Sequence, residues 1–252
     1  MIENIAGFAW FVLLLAALTI LQRRLHFETQ AILLLITRQA NLTYILFSLL
    51  FFPGVLLHET SHYLVARLLG VRTGRFSLLP QPLPDGRLQL GYVETASTDL
   101  LRDALIGSAP LISGGIFVAF AGLWLLELPL LWQSLLVEQT EHFWLTLRAI
   151  VNQPDFWLWF YLIFTVSSMM FPSVSDRRTW FPILVFILIL VGLALMFGAG
   201  PWLVDTLAPW MNRVFISMAV VLGISAVVHF ILLPPLWILR SLLTHWLRLR
   251  VA

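Results

Sequence analysis

"FFPGVLLHETSHYLVARLLG", residues 51–70, places His58, Glu59 and His62 inside an apolar stretch that runs from about Leu42 to Leu69. Ionisable groups at membrane depth are costly and usually mark function. Residues four apart share one face of a helix, so the imidazoles of an H-E-x-x-H pattern can hold one metal ion. Glu59 projects about 100° around the helix from His58, toward the place where a water on that metal would sit. A carboxylate there can take the water's proton and pass it to a leaving amine. The plainer reading of the same residues is a polar trio hydrogen-bonded within a helical bundle.

The rest of the chain agrees with burial in lipid. Of its 252 residues 60% are hydrophobic and 11% charged, with 11 Trp and 19 Phe, against about 45–50% and 25% in a typical soluble domain. The composition predicts an integral membrane protein whose surroundings are the lipid bilayer. All 15 basic residues are Arg and they are dispersed, which argues against nucleic-acid binding and leaves no lysine for Schiff-base chemistry. There is no Cys, so a metal site must be built from His, Asp or Glu.

Hydropathy predicts an all-α polytopic protein forming one domain over residues 1–252, with six spans at roughly 5–22, 42–69, 104–126, 156–175, 180–203 and 213–238. The first is read as a retained span, because it lacks a basic n-region and a small-residue cleavage site. Segment 23–41 is expected to lie in the interface, and 127–155 to form a short amphipathic helix at the surface. Arg72, Arg75, Arg87, Arg102, Arg177, Arg178, Arg240, Arg248 and Arg250 then fall on one side, which the positive-inside tendency makes cytoplasmic together with both termini. A plasma (inner) membrane location is expected.

The loop after the second span reads differently. In "RFSLLPQPLPDGRLQLGYVET", residues 75–95, Leu88, Leu90 and Tyr92 alternate with polar or small neighbours, and Asp85-Gly86 is a hairpin turn signal. A small cytoplasmic-side β-hairpin between spans two and three is expected. Either it packs against the bundle, or its edge pairs with an extended peptide through the backbone around Leu88, Leu90 and Tyr92.

A hydrolytic metal site needs a third protein ligand and an open position for water. Asp176, in "SSMMFPSVSDRR" at the end of the fourth span, is the best candidate. His62 stands about 7 residues, roughly 10 Å of helix, from the same side of the membrane. Pro172 and its small neighbours can unwind that helix end and let the chain turn back toward the histidines. The alternative is an Asp that only neutralises Arg177 and Arg178. His229, in the sixth span with no acidic neighbour in sequence, is expected to be a hydrogen-bonded bundle residue.

With these residues the chain resembles the site-2 protease family of intramembrane zinc metalloproteases. The resemblance runs over about residues 42–180. H-E-x-x-H lies in the second span, and "GVRTGRFS" is similar to the family's entry into a membrane-associated hairpin. "GSAPLISGG" is similar to its G-P-x-x-N helix start, and "SMMFPSVSD" to its N-x-x-P…L-D-G segment. The resemblance implies that His58, His62 and Asp176 bind one zinc ion and that Glu59 is the general base. Ser113 and Ser168 stand where the family has asparagines, Ala109 replaces a Gly, and Arg177 replaces the Gly after the Asp. Ser113 and Ser168 are therefore the candidates for holding a peptide or stabilising an oxyanion, with a shorter reach than an amide.

The function this implies is intramembrane hydrolysis of a membrane-protein or peptide substrate. A non-catalytic, zinc-binding membrane scaffold or regulator of the same fold is the alternative. A metal transporter fits less well, because the candidate ligands cluster toward one side and the other spans carry few acids.

Overall fold

Pro53 divides the second apolar stretch. The computed structural model describes residues 3–82, 88–136 and 140–248, and in it α2 (Ala40–Leu50) and α3 (Phe52–Leu68) meet at a bend of 72°. Pro53 has no N–H to give the Leu49 carbonyl, and its fixed φ suits the first turn of a new helix. The single span expected over 42–69 is thus a broken one. At its far end Gly70, with φ 71°, closes α3 while the Val71 amide donates to the Ala66 carbonyl at 2.8 Å.

The first helix, α1 (Glu3–Thr37), runs 35 residues without interruption. Residues 8–37 contain neither Pro nor Gly, so nothing ends the helix at Arg23, and most of the expected interfacial segment is its continuation. A second correction concerns 127–155, where α5 (Leu128–Leu136) and α6 (Thr140–Val151) form in place of one surface helix.

Between α3 and the next helix lies the expected hairpin. β1 (Thr73–Ser77) pairs antiparallel with β4 (Tyr92–Thr95), and β2 (Gln81–Pro82) with β3 (Leu88–Gln89). The Asp85-Gly86 turn falls outside the described residues. The ladder is interrupted where residues 78–80, with Pro80, face Leu90 and Gly91. Leu88 and Leu90 pack against the main core of Phe47, Phe51, Val55, Phe164 and their neighbours, which fastens the hairpin to the bundle.

Asp99 then caps α4 (Leu100–Phe120), accepting the Arg102 amide at 3.0 Å. A widened π-helical turn, Ala121–Leu125, extends α4. α7 (Phe156–Met169) and α8 (Trp180–Met196) follow, then a short α9 (Gly200–Trp202) and a second π turn, Leu203–Leu207, leading into α10 (Ala208–Leu247). Among the described residues three helical runs are long and apolar enough to cross a membrane, Ala6–Thr37, Leu100–Leu125 and Gly200–Leu247, or four if the bent α2–α3 pair counts as one. With 14 and 17 residues, α7 and α8 reach only about 21 and 26 Å against a hydrocarbon core of about 30 Å. The protein is a helical membrane protein, and length alone does not carry six spans.

Helix directions give a further correction. The Gly7 amide donates to Asn212 Oδ1 at 2.7 Å, and Arg240 donates to Glu28 from the other end of the same helix pair. α1 and α10 therefore run parallel. α7 runs against α4, with Asp176 beside Gly107 and Met170 beside Gly114. The chain leaves α7 and enters α10 at the same end of the bundle, and α8, with no buried residue, adds no net crossing between them. The start of α1 and the end of α10 consequently lie at opposite ends of the bundle, and Arg240 and Arg248 lie away from the hairpin. In this cysteine-free chain, Ser97→Cys beside the hairpin and His245→Cys near the end of α10 are expected to react with a membrane-impermeant maleimide from opposite faces of sealed vesicles. Labelling of both from one face would contradict the parallel packing.

Candidate metal centre

His58 and His62 project from adjacent turns of α3 toward the loop that follows α7. Among the described residues, His58, His62 and Asp176 form the one cluster of His, Cys, Asp and Glu side chains arranged to hold a metal ion, with ligand atoms all within 4.8 Å of one another. His58 Nε2 and His62 Nε2 are 3.2 Å apart. Asp176 offers one oxygen to each, 3.8 Å from His58 Nε2 and 3.6 Å from His62 Nε2. The helix end at Met169 and the turn through Pro172 bring Asp176 back to the histidines. Its alternative sequence reading, neutralising the two arginines, does not describe it: Arg178 binds Asp103 instead, through Nε at 3.0 Å and Nη2 at 2.6 Å. That bidentate pair fastens the Asp176 loop to the start of α4.

The other ring nitrogens fix the tautomers. His58 Nδ1 lies 2.6 Å from the Met169 carbonyl and His62 Nδ1 2.8 Å from the Ile106 carbonyl. A carbonyl only accepts, so both Nδ1 atoms carry protons and donate. With both rings neutral, each Nε2 turns a lone pair into the shared space. Two acceptors at this distance repel unless a cation or a proton sits between them. Two nitrogens each about 2.0–2.1 Å from a tetrahedral metal ion would stand about 3.3 Å apart, close to the separation found. Outward donation from each imidazole is also how metal-bound histidines are held and oriented.

Both accepting carbonyls are available because of nearby chain breaks. Ile106 would accept the amide of residue 110 in an unbroken helix, but that residue is Pro110, inside α4. Met169 would accept the Ser173 amide, but that amide donates to Asp176 Oδ2 at 2.7 Å. Sequence reading missed this link between Pro110 and His62. Its only signal is a Pro four residues beyond an acceptor inside an apolar helix.

Asp176 supplies the carboxylate of the cluster, and the Ser173 amide donates to its Oδ2 at 2.7 Å. Glu59, 7% exposed, is not one of the clustered ligands. It lies beneath the break in the hairpin ladder: a Cβ at Gly91 would stand 2.8 Å from Glu59 Cγ and 3.0 Å from the Ser77 carbonyl oxygen. Only glycine lets the strand pass this close to the carboxylate.

The remaining sequence candidates are not at the centre. Ser113 Oγ donates to the Pro110 carbonyl of its own helix at 3.3 Å. Ser168 Oγ bonds to His229 Nε2 at 2.9 Å and is 1% exposed, so its hydroxyl is committed within the bundle. The expectation for His229 as a hydrogen-bonded bundle residue agrees with this contact. Leu88 and Leu90 turn their side chains to the core, and Tyr92 pairs with Ser77 in the ladder, so these residues could meet a peptide through backbone at the strand edge.

Gly107 sets the height of the Asp176 loop, since a Cβ there would collide with the Asp176 carbonyl oxygen. Gly107→Ala is expected to weaken metal binding by about tenfold or more with every ligand intact. Gly115→Ala, where the nearest atom to a Cβ is Val221 Cγ1 at 3.9 Å, is expected to leave it unchanged; metal titration of the purified variants measures both. The geometry carries the site alone: no family model, no curated protein and no solved structure matches this chain.

Proposed function

We propose that the chain is an intramembrane zinc metalloprotease of the site-2 protease kind, hydrolysing peptide bonds in or near transmembrane segments of membrane-protein substrates. The observation that carries this reading is the convergence of the His58 and His62 Nε2 atoms with the Asp176 carboxylate, next to Glu59. Two imidazoles and one carboxylate are a donor set of hydrolytic zinc centres, which keep one further position open. A zinc ion held by His58, His62 and Asp176 supplies Lewis acidity, polarising a peptide carbonyl and acidifying water.

The chain's own residues do the rest. Glu59 takes a proton from the attacking water on a carboxylate oxygen as the water's oxygen bonds to the carbonyl carbon. When the C–N bond breaks, the same carboxyl returns that proton to the departing nitrogen, leaving a free amine and a carboxylic acid. The hairpin above Glu59 offers main-chain donors and acceptors along its edges, which an unwound substrate segment can pair with as an added strand. At Gly91 the hairpin's own backbone lies close to the Glu59 carboxylate. In this reading α7 and the loop after it are embedded in the membrane, so the centre is sheltered by α3, α4 and α7.

A zinc-binding scaffold without catalysis is favoured by one observation: Ser113 and Ser168 bond within the bundle, and neither offers its hydroxyl to the centre. Glu59→Gln separates the two readings. In nanodiscs with a pool of transmembrane peptides, the wild-type chain is expected to release new peptide termini detected by mass spectrometry. Glu59→Gln should keep one equivalent of metal and lose cleavage by about a hundredfold or more. Cleavage absent from metal-loaded wild type would favour the scaffold, and cleavage unchanged by the substitution would remove Glu59 from the reaction.

A further inference from the structure

His229 on α10 is completely buried, and the hydrolytic reading gives it no task. Its Nδ1 lies 2.8 Å from the Ser225 carbonyl, one turn back, so Nδ1 donates and Nε2 is left as an acceptor. The Ser168 hydroxyl, at 2.9 Å, is therefore the donor to Nε2. The arrangement looks like a nucleophile beside its base. With Ser168 at 1% exposure and Ser167 and His229 at 0%, however, no substrate reaches it.

What the pair holds is the last turn of α7. The Ser168 carbonyl would accept the amide of residue 172 in a continuing helix, but Pro172 has no N–H. The side-chain amide of Gln22, on α1, donates to that carbonyl instead. The next carbonyl, of Met169, is the one that accepts His58 Nδ1–H. Two successive residues, Ser168 and Met169, thus join four helices: α1 through Gln22, α10 through His229, α3 through His58, and α7 itself. The chain turns off toward Asp176 directly beyond it.

We propose that His229 and Gln22 are positioning residues of the metal centre, gripping the hydroxyl and carbonyl of Ser168 so that the Met169 carbonyl orients His58 with its Nε2 toward the ion. This rests on reading His58, His62 and Asp176 as a metal centre. Neither residue touches a ligand atom, and both act through the backbone of residues 168 and 169. The shorter serine, in the place where the resemblance would put an asparagine, is matched by a histidine that reaches across from α10.

The test uses the full chain in nanodiscs, stripped with a chelator and titrated with Co²⁺, whose visible spectrum reports both affinity and ligand geometry. Wild type is expected to bind one equivalent and Asp176→Ala none; a wild type that takes up no Co²⁺ overturns the metal centre itself. Ser168→Ala, His229→Gln and Gln22→Leu are each expected to weaken Co²⁺ binding about 10- to 100-fold, the range for losing an outer partner of a metal ligand, with a shifted spectrum. Ser168→Thr should restore both. The double variant Ser168→Ala/His229→Gln should bind no more weakly than the worse single one, because the two residues act as one unit. Wild-type affinity and spectrum in Ser168→Ala and His229→Gln, with Asp176→Ala still unable to bind, would overturn the positioning role. Should His229→Gln fail to fold, Ser168→Ala decides alone, since it removes a single buried oxygen.

Discussion

Two imidazole nitrogens facing each other across 3.2 Å are the constraint on which the rest of this structure depends. Each imidazole is held in that state by a backbone carbonyl behind it, at Met169 for His58 and at Ile106 for His62. Neither carbonyl comes from α3. Each belongs to a helix that crosses against α3 and whose own hydrogen-bond ladder is locally open. The centre therefore exists only when α3, α4 and α7 are all packed, and a cation among the three ligands would tie those helices together. Binding of this kind stabilises the folded bundle by mass action as well as enabling chemistry.

Close packing is what brings carbonyls from one helix within reach of imidazoles on another. Gly54 faces the Thr165 carbonyl, Gly107 the Asp176 carbonyl, and Gly114 the Met170 side chain, with a Cβ at Gly114 only 2.5 Å from Met170 Cβ. In lipid there is little hydrophobic gain in bringing helices together, so small residues at such crossings allow the dispersion contacts and hydrogen bonds that do hold them. The same glycines place the Asp176 loop. Arg178 and Asp103 then fix that loop laterally through a bidentate ion pair whose guanidinium stays exposed.

The ligand cluster was legible in the sequence because its parts obey strong local rules. His58 and His62 are one helical turn apart, and Asp176 follows a proline that must end a helix. The membrane character was equally plain from composition. The bend between α2 and α3 was signalled by Pro53 but hidden by continuous hydropathy, which measures transfer to lipid and is indifferent to direction. Direction is also why α10 was misplaced. A count of apolar segments assumes that each one crosses, whereas α8 leaves and returns at one end. The bond between Ser168 and His229 had no local signal, for it joins residues 61 positions apart whose pairing depends on how α7 and α10 rotate about their axes.

Pro110 has a consequence for anyone trying to improve this molecule. Within an ordinary helix a proline is a defect, and replacing it with alanine is a standard route to a more robust protein. Here the missing amide is what leaves the Ile106 oxygen free for His62. Alanine would repair the ladder of α4 and compete for the oxygen that orients the ligand. Thermostability and metal occupancy would then move in opposite directions at one residue, and selection for heat resistance alone would drift toward a sturdier but emptier protein.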